Sequence, residues 1–135
     1  MDGISAKDIL GFAIERASAL NGLWNLFIAV ATAVVGVMAS GKSFTTNSLL
    51  KVCLSLAFIA FAYVNLDAML RLGDLREALL AMLPSALPNR AQVIASLSPA
   101  RSWQYTVFHL FLDAVVLAAV WFVPWPTTEK ASHAG

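Results

Sequence analysis

Cysteine is almost absent: Cys53 stands alone in a chain of 135 residues. One thiol forms no internal disulfide and cannot build a cysteine-ligated zinc site. Cys53 lies inside an apolar run, where a lone thiol behaves as a small inert hydrophobe. Charge is scarce as well. Asp, Glu, Lys and Arg make up 13% of the chain, against roughly 25% in a soluble domain. The net charge is +1, so there is no basic footprint for nucleic acid. There are 2 histidines, and only His109 falls in an apolar run. Bis-histidine haem ligation within the membrane therefore lacks its second ligand. No pair of glutamates falls inside such a run, no internal repeat is present, and nothing alternates strand with helix as an α/β sheet requires.

Apolar residues are abundant, at 59% of the chain, and they are concentrated in three blocks. LNGLWNLFIAVATAVVGVMAS spans 20–40, LLKVCLSLAFIAFAYVNLDAMLRL spans 49–72, and WQYTVFHLFLDAVVLAAVWFVPW spans 103–125. Each is near the roughly 20 residues that cross a bilayer core as a helix. Trp, Lys and Arg at their flanks read as interfacial anchors. The first block is not read as a cleaved signal peptide, although Val37-Met38-Ala39 offers small residues. Asp2, Asp8 and Glu15 precede it in a stretch too long and too acidic for an n-region.

The expected fold is all-α, a single membrane domain over 1–135 with three transmembrane helices. An amphipathic N-terminal helix over 5–19, opened by a capping box of Ser5 and Asp8, either lies at the membrane interface or extends the first span into solvent. Its polar side carries Lys7, Asp8, Gly11, Glu15 and Ser18. Its apolar side carries Ile9, Phe12, Ala13, Ala17 and Leu20, with Arg16 among them. A loop over 73–102 holds two short interfacial helices. GDLREALLAML continues the second span's helix or restarts one until Pro84, and RAQVIASLS is capped by Asn89 and ends before Pro99. The segment 126–135 is a polar tail.

GVMASGKS, with Gly36, Gly41, Lys42 and Ser43, matches the phosphate-binding loop G-x-x-x-x-G-K-[ST], and an apolar run ending at Asp67 echoes its acidic partner strand. That loop needs a short buried strand before it. The preceding apolar run is about 17 residues, whereas strands are usually 3–10. The string is therefore read as a turn between two spans, with Gly41 ending the first helix and the Thr45-Thr46-Asn47-Ser48 stretch capping the second. No nucleotide is expected.

Lys7, Arg16, Arg71, Arg76, Arg90 and Arg101 fall on one side of such a topology, and Lys42, Lys51 and Lys130 on the other. The positive-inside rule places the N-terminus in the cytoplasm and the C-terminus across the cell membrane, the inner membrane in a bacterium. The GKS turn then faces away from cytoplasmic nucleotide.

Polar groups inside hydrocarbon are costly and mark sites. In the third span His109 and Asp113 are four apart and share a helix face, with Tyr105 on nearly the same face. In the second, Asp67 and Arg71 are four apart, while Asn65 and Ser55 point almost oppositely. One polar face of the second span is thus expected to meet another chain. In the first, Asn21, Asn25, Ala29, Thr32, Gly36 and Ser40 form a stripe suited to close helix packing. Asn25, Asp67 and His109 fall at similar depth, with Asp113 slightly deeper. They are the expected polar cluster, able to exchange protons or hold a cation. No metal site is expected.

Three functions follow. The leading expectation is an accessory or structural subunit of a larger membrane complex, whose partners are the bilayer and other subunits or copies of itself. The alternative is a homo-oligomeric channel or proton/cation-coupled transporter lined by His109, Asp113 and Asp67. The third is a membrane enzyme or a quinone- or lipid-binding subunit using Trp24, Trp103 and Tyr105. No complete catalytic constellation is present, which turns the reading away from an enzyme, and no cofactor is expected beyond a bound lipid or quinone.

Overall fold

A capping box starts the first helix: Ser5 Oγ accepts from the Asp8 backbone N–H at 3.2 Å, and the Asp8 carboxylate accepts from the Ser5 backbone N–H at 3.3 Å. The computed structural model describes residues 5–40 and 47–124. The turn residues Gly41 to Thr46, Trp125 and the segment 126–135 lie outside the described residues. Four helices are present among those described: α1 Ala6–Ala39, α2 Ser48–Ala81, α3 Arg90–Leu97 and α4 Ser102–Phe122. Asn47 caps α2, its Oδ1 accepting from the Leu49 and Leu50 amides at 3.0 and 3.4 Å.

Three of the helices are long and apolar enough to cross a membrane. Two expected boundaries are corrected. Of the two placements open to 5–19, α1 shows the extension of the first span and no separate element, because nothing between Ala6 and Ala39 breaks the helix, which runs through all 34 residues. The loop expected to begin at Gly73 begins instead at Met82. A lone glycine costs a helix interior only about 1 kcal/mol, and α2 runs through it to Ala81, also 34 residues. It ends where Pro84 restricts the residue before it.

The pair of free-lying interfacial helices is likewise not found. GDLREALLAML is the end of α2. The other piece is α3, whose Val93, Ile94 and Leu97 pack on Ile9, Ala13, Leu80 and Leu83. Asn89 precedes α3 in the left-handed conformation at φ 56°, which asparagine tolerates, and its side chain makes no capping bond.

Early α1 meets late α2 in that end cluster, so the two long helices are antiparallel. A second cluster joins Phe27, Val34 and Met38 of α1, Phe58 and Ala62 of α2, and Val116 and Val120 of α4. The buried positions show how the helices fit. On α1, Ala13, Leu20, Phe27 and Val34 recur every seventh residue; on α2, Ser55, Phe58, Ala62, Asn65 and Met69 alternate three and four apart. A repeat of 3.5 residues keeps one seam facing a partner through a left-handed supercoil. The outer surface is apolar. Ile28, Leu56, Val64, Phe108, Phe111 and Phe122 are all exposed, an apolar surface compatible with contact to lipid.

The small-residue stripe of α1 does not face α2 or α4. Asn21, Asn25, Ala29, Thr32, Gly36 and Ser40 are all exposed on the outside of the bundle. The face that α1 turns to α2 and α4 carries Leu20, Phe27, Val34 and Met38 instead. Small residues permit close approach, but the larger side chains fill the 3.5-residue seam.

Candidate functional site

His109 is completely buried, at 0% exposure, in the middle of the bundle. α4 presents it one turn before Asp113, so its Nδ1 lies 3.0 Å from Asp113 Oδ2. α2 brings Asn65 to the other side of the ring, with Asn65 Nδ2 at 3.3 Å from His109 Nε2. α1 closes the remaining faces with aromatic rings: Phe27 has its centroid 4.3 Å from that of His109, and Trp24 lies 5.9 Å away. One imidazole therefore touches all three long helices.

A neutral imidazole protonated on Nδ1 fits both contacts. A neutral imidazole has one donor and one acceptor nitrogen. Nδ1–H donates to the Asp113 carboxylate, and the Nε2 lone pair accepts from the Asn65 amide. Two acceptor atoms are left over. Asn65 Oδ1 and Asp113 Oδ1 are buried and have no hydrogen-bond partner. In an apolar interior such orphans are expensive.

Asp113 also opens outward. Its side chain is 15% exposed, and it lines a groove of about 340 Å³ between α2 and α4. The other walls are Ile59, Ala62, Tyr63, Leu66, Leu110, Ala114 and Leu117. The groove is apolar except for the Tyr63 hydroxyl and the carboxylate.

The remaining expected residues are not part of this cluster. Asp67 is bonded by Arg71, Nε to Oδ2 at 2.8 Å, and both side chains are largely open, at 47% and 78% exposure. This is an outward ion pair, on the side of α2 away from buried Asn65 and Ser55. Asn25 is exposed on α1, and its neighbour Trp24 is the residue that reaches His109. Tyr105 and Trp24 line a shallow hollow of about 330 Å³ with Ala100, Gln104 and Phe108. Trp103 is exposed and does not line it.

Asn65, which the sequence sets opposite Asp67 on α2, is the polar residue that reaches the ring, and Phe27 is the contact that a search for polarity overlooks. Their signal lay in the 3.5-residue spacing of the buried seams. A second polar contact joins α2 to α4 nearer the other end of the bundle, where Trp121 Nε1 donates to Ser55 Oγ at 3.1 Å. Among the described residues no group of three or more His, Cys, Asp and Glu is placed to hold a metal ion.

Comparison with protein-family models, curated proteins and solved structures finds no match to this chain. The functional reading therefore rests on the residues themselves.

Proposed function

We propose that this chain is a small polytopic membrane protein that works as a subunit of a larger membrane assembly, with its N-terminus and the α2–α4 connection in the cytoplasm. The observation that carries the reading is the exposed α1 stripe, Asn21, Asn25, Ala29, Thr32, Gly36 and Ser40. Among the described residues the stripe is left exposed, and its small and weakly polar side chains suit close contact with another transmembrane helix. Asparagine and threonine left toward lipid would be costly. Purification in mild detergent followed by native mass spectrometry tests the reading. The expected result is a defined oligomer or a co-purifying membrane protein. A monodisperse single chain at every protein concentration rules it out.

A second reading has its own support in the buried His109–Asp113 pair. Proton- or cation-coupled transport needs a titratable group held in hydrocarbon beside a route to the outside, and Asp113 lines the α2–α4 groove. Asp67 does not belong to that reading, because its carboxylate is already paired with Arg71. Liposome flux that is unaltered in both His109→Ala and Asp113→Asn removes it.

A further inference from the structure

We infer that Arg16 of α1 and Arg76 of α2 together hold the phosphate of one anionic phospholipid at the rim of the seam between these two helices. The inference rests on the membrane reading and goes beyond it. The lipid is counted per chain, so a chain that proves monomeric loses the assembly reading and keeps this one.

The two arginines occupy positions of the buried seams. Arg16 stands seven residues after Ile9 and four before Leu20, and Arg76 stands seven after Met69 and seven before Leu83, all four of which are buried. They also stand at one level. Phe27 of α1 and Asn65 of α2 both touch the His109 ring. Arg16 lies eleven residues before Phe27, and Arg76 lies eleven residues after Asn65. The helices are antiparallel, so both offsets run toward the same end of the bundle, about 16 Å from the histidine at 1.5 Å per residue. Ile9 and Leu83, each seven residues further out, meet again in the end cluster. Packed helices lie about 8–10 Å apart, close enough for one phosphate to meet two long arginine side chains.

No acid compensates either charge. The ion pairs among the described residues are Asp67–Arg71 and His109–Asp113. Arg71 and Arg90 donate their Nε–H to Asp67 and to the Leu83 carbonyl, whereas the Nε atoms of Arg16 and Arg76 are buried with no partner. The nearby acids lie elsewhere: Glu15 is exposed, and Asp74 and Glu77 line a hollow against Ser98 to Ser102. Two like charges at one level of a packed seam repel, and a charge withdrawn from water without a partner is costly. An anion between them offsets both. Each arginine is half-buried. Nε is covered, while the terminal Nη nitrogens remain open, so an anion meets them at the rim without entering the seam. Their N–H donors match phosphate oxygens in charge and in geometry.

Depth decides where the phosphate comes from. Arg16 lies four residues outside the first apolar block, which begins at Leu20, and Arg76 lies four outside the second, which ends at Leu72. Four residues are about 6 Å of helix, and the headgroup layer is roughly 5–7 Å deep on each side of the hydrocarbon. Lipid phosphates therefore stand level with the two arginines. Toward the middle of the bundle the outer surface is apolar, with Leu26 and Ile28 exposed, and it suits acyl chains rather than a free anion. A net-anionic headgroup balances the arginines, whereas a zwitterionic one brings a cation of its own.

Native mass spectrometry of the full chain in detergent tests this, with phosphatidylglycerol and phosphatidylcholine of the same acyl chains added separately and inorganic phosphate as the anion without a lipid. One phosphatidylglycerol per chain is expected, retained at least tenfold more tightly than phosphatidylcholine. Arg16→Gln/Arg76→Gln should weaken that retention at least tenfold. Arg71→Gln removes an outward arginine already paired with Asp67 and should leave it unchanged. Thermal unfolding adds a readout that a purely structural arginine pair would not move. Phosphatidylglycerol should raise the midpoint of the parent and leave that of Arg16→Met/Arg76→Met where it was, since methionine fills the seam without a charge. Equal retention of the two lipids, or a midpoint raised as much by inorganic phosphate as by phosphatidylglycerol, overturns the inference whether or not the variants fold. Unchanged retention in both double variants, or an equal loss in Arg71→Gln, overturns it as well.

Discussion

Asn65 and His109, 44 residues apart in the chain, meet side chain to side chain at 3.3 Å inside the bundle. The contact ties α2 to α4, and Trp121–Ser55 at 3.1 Å ties the same two helices nearer their other ends. The two bonds are ten residues apart on α2, about 15 Å along a helix. Together they fix the register of α2 against α4, which apolar packing in lipid specifies poorly because the solvent is as apolar as the helix. Asn65→Leu should destabilise the bundle by about 1–2 kcal/mol, combining a lost interhelical bond with an unpaired Nε2. A double-mutant cycle with His109→Phe, read by reversible unfolding in mixed micelles, should give a coupling of about 1 kcal/mol. Additive effects would show that the two residues do not interact.

Phe27 and Phe111 provide a contrast within one residue type. Phe27 is buried between Phe58 and His109, whereas Phe111 is exposed on the outer surface. Phe27→Ala should cost about 3 kcal/mol through the cavity it leaves. Phe111→Ala should change stability by less than about 0.5 kcal/mol. The same unfolding measurement compares them, and equal losses would contradict this orientation of α1 and α4.

Gly73 tests the length of α2. The sequence pattern places it at the start of a loop, but it lies within α2, and a Cβ added there meets nothing within 4 Å. Gly73→Ala should therefore stabilise the protein by up to about 1 kcal/mol through helix propensity alone. A destabilised Gly73→Ala protein would mean that the chain turns at this position.

The helical class, the three apolar blocks and the four-residue spacing of His109 and Asp113 could all be read from local pattern. Where each polar face points could not. A helix wheel shows that Asn65 and Asp67 lie on different sides of α2, but only packing decides which side is inward. Intrinsic polarity favours Asp67 as the site residue, yet Arg71 one turn away gives that carboxylate a partner at the surface. Asn65 has no such local partner for its amide beyond a weak contact to Met69 Sδ at 3.9 Å, and it is buried against His109. The α1 stripe leaves the same question open. Small residues identify a face that permits close contact, and they do not say with which helix.

Asp67→Asn should leave the His109 ring undisturbed, since the carboxylate lies outside the cluster and is engaged by Arg71 at 2.8 Å. Asp113→Asn should shift both ring nitrogens. Nitrogen-15 spectra of histidine-labelled protein report this directly, because the chain has only 2 histidines. A His109 shift in Asp67→Asn as large as in Asp113→Asn would bring Asp67 back into the cluster.

The α1 stripe yields a test in which fold and assembly separate. Gly36 is exposed, and a Cβ there meets nothing within 4 Å; Ala29 and Thr32 beside it are exposed as well. Bulky replacements on this face therefore point away from the described packing of α1 on α2 and α4. The Ala29→Leu/Gly36→Leu double variant should keep the helical content and unfolding midpoint of the parent, because the seam of Leu20, Phe27, Val34 and Met38 is untouched. If the stripe packs closely against a second transmembrane helix, two leucines hold the backbones apart and remove the contacts that small residues allow. The assembly seen by native mass spectrometry should then dissociate at least tenfold more readily, with no loss at the His109 site. An assembly equally stable in the double variant would move the partner interface to another face of the bundle, with the exposed side of α2 around Asp67 and Arg71 next to be substituted.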